Sequence, residues 1–272
     1  MLIDLDIRGV EGGDECVGRP GRGRSRKDRL ASVGQWMDRS GWYRPMKRGV
    51  EFVAALVLLV LTGPLMLLAA LLVKVTSRGP AFYTQTRIGL GGRPFTIYKI
   101  RTMIHNAESL TGPRWAIPGD PRVTRIGYVL RITHLDELPQ LLNVLRGDMS
   151  LIGPRPERPE FIGELERALP GYRRRLVVRP GVTGLAQVQL PADSDLDSVR
   201  RKLQQDLYYV RACGPWLDFR LVCCTACRML GIPIRISGWL LRIPTSDAIA
   251  EVMKTTVPEV GTPAPARMRK AA

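Results

Sequence analysis

The stretch RITHLDELPQLLNVLRGDMSLIGPRPE, residues 131–157, sets two adjacent carboxylates, Asp136 and Glu137, among cations. Arg122, Arg125 and Arg131 precede the pair and Arg155 follows it. An acidic pair ringed by arginines suits attack on a phosphate. One carboxylate can act as nucleophile, the other can hold a divalent cation, and the guanidinium groups can neutralise a diphosphate. The same pair has a plainer use, since Asp-Glu at a helix start caps free N–H groups and complements the helix dipole. The residues that follow predict a short amphipathic helix burying Leu138, Leu141, Leu142 and Leu145 on one face. In Gly153-Pro154-Arg155-Pro156 the two prolines fix the backbone around Arg155 and can aim its side chain into a site.

Several elements must position these groups. Residues 81–86 and 95–103 alternate β-branched and aromatic residues, with Gly89, Gly91 and Gly92 between them. They predict two strands joined by a hairpin turn. The glycines lack the spacing and following helix of a dinucleotide fingerprint. Residues 102–114 are expected to be helical and 116–125 to form a polar loop. Helices are expected over 159–169 and 172–177, and a tight turn over 179–184. Residues 198–211 read as a charged, exposed helix. Residues 216–236 mix Leu, Cys and Ile with Arg220, Arg228 and Arg235. That stretch can lie in a membrane interface with Trp216 or Trp239 at headgroup level, or pack on a globular core.

The 272 residues suffice for one or two modest domains. A net charge of +16 favours an acidic partner: nucleic acid, an anionic membrane surface or a phosphorylated substrate. Aromatics make up only 6% and do not interleave with the basic runs, and no helix-turn-helix, zinc-finger or RNA-recognition motif is present. No nucleic acid partner is therefore expected. Cys224 and Cys227 have half of a zinc or redox spacing, but no second CxxC exists and His105 and His134 are the only histidines. The cysteines read as small apolar residues on a helix, in a compartment that keeps thiols reduced.

Residues 50–73, VEFVAALVLLVLTGPLMLLAALLV, are long and apolar enough to cross a bilayer, for which about 20 suffice. Arg44, Lys47 and Arg48 precede the run and Lys74, Arg78 and Arg87 follow it. The positive-inside rule would keep both flanks on one side. Pro64 has no N–H to offer Val60, so the helix is expected to break or kink at Gly63-Pro64. A re-entrant hairpin satisfies both flanks; a kinked span is the alternative.

From about Met46 to Phe219 the chain resembles the bacterial sugar transferases, the monotopic phosphoglycosyl transferases. The pieces that carry the resemblance are KRGVEF, KVTSRGPAFYTQTRIGLGGRPFTIYKIRTM, DPRVTRIGYVLRITHLDELPQLLNVLRGDMSLIGPRPE, RPGVTGLAQV and DLYYVRACGPWLDFRLV. With one apolar segment before the catalytic part, it resembles the short form. The resemblance implies an α+β fold: a re-entrant membrane helix hairpin, then a small, mostly helical cytoplasmic catalytic domain with a short β-hairpin and interfacial amphipathic helices. Residues 1–44 would be a basic disordered leader, 45–76 the re-entrant helix, 77–237 the catalytic domain and 238–272 a largely disordered tail.

It also implies a reaction at the inner face of the bacterial cytoplasmic membrane. A sugar-1-phosphate would pass from a nucleotide diphosphate sugar, UDP-linked by expectation, to polyprenyl phosphate, undecaprenyl by expectation. This would open cell-surface glycan synthesis, with downstream glycosyltransferases as further partners. Asp136 would be the nucleophile and Glu137 would bind Mg²⁺. Arg131, Lys99, Arg101 and Arg122 would meet phosphate, and Arg155 the nucleotide part. Two departures from the family's habit are Glu51 in place of Asp and Gly63-Pro64 in place of Ser-Pro. A catalytically silent scaffold for glycan-assembly enzymes is the alternative.

Overall fold

The structure, a computed structural model, describes residues 42–107, 112, 119–191 and 195–256. The leader before residue 42 and the tail beyond 256 lie outside these.

Helix α1 (Tyr43–Thr76) is a single 34-residue helix with Pro64 inside it. The expected break at Gly63-Pro64 is not there: the helix continues through both residues. Proline removes one backbone hydrogen bond, and a run of leucine and alanine on either side carries the ladder past that turn. At 1.5 Å per residue such a helix is about 50 Å long, well beyond a bilayer core of about 30 Å.

Both ends of α1 are fixed to one folded body. Ala55 packs with Ile97, Leu141, Val144 and Met149, and Ala69 and Val73 pack with Ile100 and Leu130. Near the start, Lys47 Nζ donates to Asp218 Oδ2 (2.5 Å), Tyr209 Oη (2.7 Å) and the Ile152 carbonyl (2.8 Å). Glu51 accepts from Ser150 Oγ and from the Leu151 and Ile152 N–H groups. Between these anchors Leu56, Val57, Val60, Leu61, Leu67 and Leu68 stand exposed.

Strands β1 (Phe82–Ile88) and β2 (Pro94–Ile100) form the expected antiparallel hairpin. Gly91 and Gly92 turn it at φ +66° and +81°, where a side chain would be strained. No helix follows over 102–107; instead Met103 bridges to Val123, and Asn106 has φ +58°. Helix α2 (Arg125–Ile132) is capped by Thr124, whose hydroxyl accepts from the Gly127 N–H at 2.9 Å. A 3₁₀ turn (Leu135–Glu137) leads into α3 (Gln140–Arg146). The buried face of α3 keeps only part of the expected leucine stripe: Leu141 is buried, and Leu138 and Leu145 are half-buried. Leu142 is exposed, while Asn143 and Val144 are buried. Asn143 goes inside because its amide donates to Thr96 O (2.7 Å) and accepts from the Tyr98 N–H (3.2 Å), stitching α3 to β2.

The expected tight turn over 179–184 contains a strand. Strand β4 (Gly181–Thr183) pairs in parallel with β3 (Ser150–Ile152). The crossing is made by glycines: a Cβ on Gly181 would sit 2.1 Å from the Gly153 nitrogen. Helix α4 (Pro159–Ala168) and a 3₁₀ segment (Tyr172–Val177) connect the two strands.

Helices α5 (Leu185–Gln189), α6 (Leu196–Ala212), α7 (Pro215–Met229), α8 (Ile234–Leu240) and α9 (Ser246–Thr256) complete the chain. The charged helix α6 was expected on the surface and is instead central: Leu203, Leu207, Tyr209 and Val210 are buried, along with Lys202 and Asp206. Its charges go inside because they are paired there. The tail expected from residue 238 folds through 256, since α8 crosses that boundary and α9 buries Ile249 and Met253 in the main core. Helix α7 packs one face on the core, as the second of its two expectations has it, and leaves the other face exposed. Leu217, Leu221 and Cys224 face the core, whereas Trp216, Phe219 and Val222 are exposed, as are Trp239 and Leu240 of α8. Arg220 binds the backbone carbonyl of residue 241, and Arg228, though exposed, binds those of residues 187 and 188. Cys213, Cys223, Cys224 and Cys227 are free thiols.

Candidate active site

Three elements deliver cations to the acidic pair. The end of β2 supplies Lys99, the end of α2 supplies Arg131, and the loop after β3 supplies Arg155. Between α2 and the 3₁₀ turn, His134 adopts φ +57°, a left-handed conformation uncommon outside glycine. That residue reverses the chain direction so that Asp136 points into the body, 7% exposed.

Glu137 is gripped on both sides. Its Oε1 accepts from Lys99 Nζ at 2.7 Å and from Arg155 Nη2 at 2.5 Å, and its Oε2 accepts from Arg155 Nη1 at 3.3 Å. Burial opposes its charge, but Arg155 and Lys99 together hold the carboxyl well below the usual carboxylate range. Asp136 has the opposite balance. Burial pushes it up to about 6, further raised by the neighbouring Glu137 and restrained by Lys99, Arg155 and Arg131. The two adjacent carboxyls are thus split, one firmly ionised and the other ionised only above about pH 6. Such splitting marks paired groups with different tasks.

Arg131 is oriented by its Nε, which donates to Thr102 Oγ1 at 2.9 Å. Among the described residues its terminal nitrogens have no hydrogen bond, and its charge acts on Asp136. Partial burial pushes the His134 imidazole below its usual value, against the pull of Glu137.

The structure brings Lys99, Arg131, Asp136, Glu137 and Arg155 together and leaves the other expected residues elsewhere. Arg101 is not in the site. It donates to the Ser77 and Arg78 carbonyls and to Ser77 Oγ, clamping the end of α1. Arg122 forks Asp120 at 2.6–3.2 Å and holds its carboxyl down at about 2. It stands beside Arg131, one step from the acidic pair. Gly63 and Pro64 lie in the interior of α1. Thr102 and His134 were not singled out from the sequence. A lone threonine after a strand carries no signal, and a left-handed histidine shows only in the backbone.

A metal would find Glu137 the better donor of the pair. Its Oε2 has only one long contact, and its charge is secured. No group of three or more Asp, Glu, His or Cys side chains placed to hold a metal ion occurs among the described residues, here or elsewhere, so the protein offers this site the acidic pair alone.

Comparison with known proteins follows the same lines. One relative is the UDP-N-acetylgalactosamine-undecaprenyl-phosphate N-acetylgalactosaminephosphotransferase of Aeromonas hydrophila, 47% identical over 66% of this chain and 42% of its own. Another is the UDP-glucose:undecaprenyl-phosphate glucose-1-phosphate transferase of Caulobacter vibrioides, 47% identical over 65% of this chain and 66% of its own. The chain thus spans about two fifths to two thirds of the length of these curated relatives. The exopolysaccharide production protein PSS of Rhizobium leguminosarum bv. phaseoli is 40% identical over 65% of this chain and 91% of its own. The family match runs from residue 42 to 231, from the start of α1 past the end of α7, and so takes in every residue of the site just described: the chain belongs to the bacterial sugar transferase family.

Proposed function

We propose that this protein transfers a sugar-1-phosphate from a nucleotide diphosphate sugar to polyprenyl phosphate through an aspartyl intermediate. The observation that carries this reading is the split pair: a buried Asp136 in the field of three cations, Lys99, Arg155 and Arg131, beside a Glu137 that is fixed and ionised. The names of the relatives favour a UDP-linked donor and undecaprenyl phosphate as acceptor.

In the first step an Asp136 carboxylate oxygen attacks the β-phosphorus of the donor. The bond from that phosphorus to the bridging oxygen breaks, and the nucleoside monophosphate leaves with the electron pair. In the second step an oxygen of the lipid phosphate attacks the same phosphorus and the Asp136 carboxylate leaves. Two displacements let two unlike substrates use one phosphate pocket in turn. Arg131 is placed to neutralise the diphosphate, and Lys99 and Arg155 to stabilise charge as it develops. Glu137 would hold Mg²⁺ through Oε2, and the ion would supply neutralisation of phosphate charge. Chelation should abolish turnover, and Mg²⁺ should restore it.

We also place the catalytic body on the cytoplasmic face of the inner membrane. Helix α1 would be embedded from that side and not span, because both its ends are anchored on the same body and its middle is apolar and exposed. The exposed Trp216, Phe219, Trp239 and Leu240 would rest at headgroup level.

The test is release of nucleoside monophosphate from a panel of nucleotide diphosphate sugars by the protein in membranes, with polyprenyl phosphate added or withheld. Release that turns over only with lipid and vanishes in Asp136→Asn supports the reaction and names the sugar. Sustained turnover by a folded Asp136→Asn would remove Asp136 as nucleophile.

A further inference from the structure

Arg155 reaches Glu137 from a short loop with a proline on each side, and that loop rests on a buried cluster of charges. Arg175, in the 3₁₀ segment Tyr172–Val177, is 2% exposed. Its Nη2 donates to the backbone carbonyl of Arg155 at 2.6 Å and lies 2.8 Å from Asp206 Oδ2. Its Nη1 donates to Tyr172 Oη at 2.7 Å. Asp206 comes from the middle of α6 and is likewise 2% exposed. The next residues of the loop are held in the same way. Arg87 donates to the Pro156 carbonyl at 3.2 Å, and Glu157 lies 3.6 Å from Arg87 and 3.9 Å from Lys202.

Burying an ion pair is costly, and a well-packed apolar pair of similar volume would hold a core at least as well. Stability therefore does not explain why Arg175 and Asp206 stand in the centre of the body. Their geometry does. The guanidinium meets a carboxylate and a carbonyl through one terminal nitrogen and a hydroxyl through the other, which an apolar side chain cannot do. The bridge runs from the central helix α6 to the main chain of the residue that grips Glu137.

We propose that Arg175 and Asp206 are positioning residues: the pair fixes the Arg155 main chain and so sets the Arg155 guanidinium against Glu137 and the donor diphosphate. This rests on the reaction proposed above. The precision it supplies is the kind that a displacement of about 1 Å can undo.

Two variants test it. Arg175→Lys keeps a charge for Asp206 but has a single ammonium in place of the fork. The triple variant Tyr172→Phe, Arg175→Met, Asp206→Leu removes the ion pair and its hydroxyl partner together, leaving an apolar core. Three quantities are measured on the full chain in nanodiscs: the melting temperature, amide exchange over residues 153–158, and steady-state kinetics. Both variants should melt within a few degrees of the wild type. Exchange in the loop should quicken, and kcat/KM for the nucleotide sugar should fall by roughly ten- to a hundredfold. KM for the nucleotide sugar should rise while KM for polyprenyl phosphate stays put. A merely structural loss would lower the active fraction and leave both KM values alone. Wild-type kinetics, unchanged loop exchange, or a loss confined to kcat would each overturn the assignment. If the wild type itself turns over no donor, the reaction is wrong. Loop exchange then still decides whether the pair holds Arg155.

Discussion

Asp136 combines two properties that pull against each other. Burial raises its carboxyl to about 6 and so favours the neutral form, yet the attack on phosphorus proposed for it requires the anion. The acid limb of kcat/KM should therefore fall near pH 6, with activity rising as Asp136 loses its proton. Lys99 is the strongest influence holding that value down, so Lys99→Met should move the limb to higher pH and lower the plateau; a pH–rate profile of both forms checks it. The linkage has a second consequence. A carboxyl whose folded pKa lies above its unfolded value binds more protons folded than unfolded between about pH 4 and 6, so its contribution to stability falls as pH rises through that window. Asp136→Asn removes this cost. That variant should be more stable than the wild type at pH 7–8, by on the order of 1–3 kcal/mol, and so melt higher. An unchanged or lower melting point would show that the burial is better compensated than the geometry implies.

At the scale of elements, close backbone crossings set the site. Helix α2 must pass over Thr102 to present Arg131, and a Cβ on Gly127 would sit 1.9 Å from the Thr102 carbonyl oxygen. Gly127→Ala should cost about 2 kcal/mol or more and displace Arg131 along with the helix, so loss of melting temperature and of activity should come together. The anchor at the start of α1 is a different kind of contact. Lys47→Met leaves Asp218 with only the Tyr43 and Tyr209 hydroxyls, and should cost about 3 kcal/mol. Adding Asp218→Leu should recover much of it, as read by melting in detergent. The sequence made the hairpin legible through its alternation and glycines, and the acidic pair and Arg155 through their charge and prolines. It hid what depends on pairing. Asn143 looked polar and is buried because it replaces a strand partner for Thr96 and Tyr98. Helix α6 looked exposed because its charges were counted without their partners. The β3–β4 pairing spans too few residues to show a period, and the role of Arg101 depended on where α1 ends.

For the whole molecule, the relation between α1 and the catalytic body decides the topology. Charge on both flanks suggested a return to one side, and a proline at the centre suggested how. The flanks do meet one body, but the helix gets there without ending at Gly63-Pro64. Cysteines placed at Met46 and at Arg93, in a background with the native cysteines replaced by serine, should label from the same side of sealed vesicles. Labelling from opposite sides would mean a span.

Lys99 and Arg101 flank Ile100, and Ile100 packs directly on Ala69 and Val73 of α1. The neighbouring backbone that presents a lysine to Glu137 is thus also a bearing surface for the embedded helix. Thinning or thickening the lipid around α1 would press on β2 and through it on the grip around Glu137. On the reaction proposed above, the acyl-chain length of the surrounding bilayer would act as a dial on turnover without a bilayer phospholipid entering the catalytic pocket.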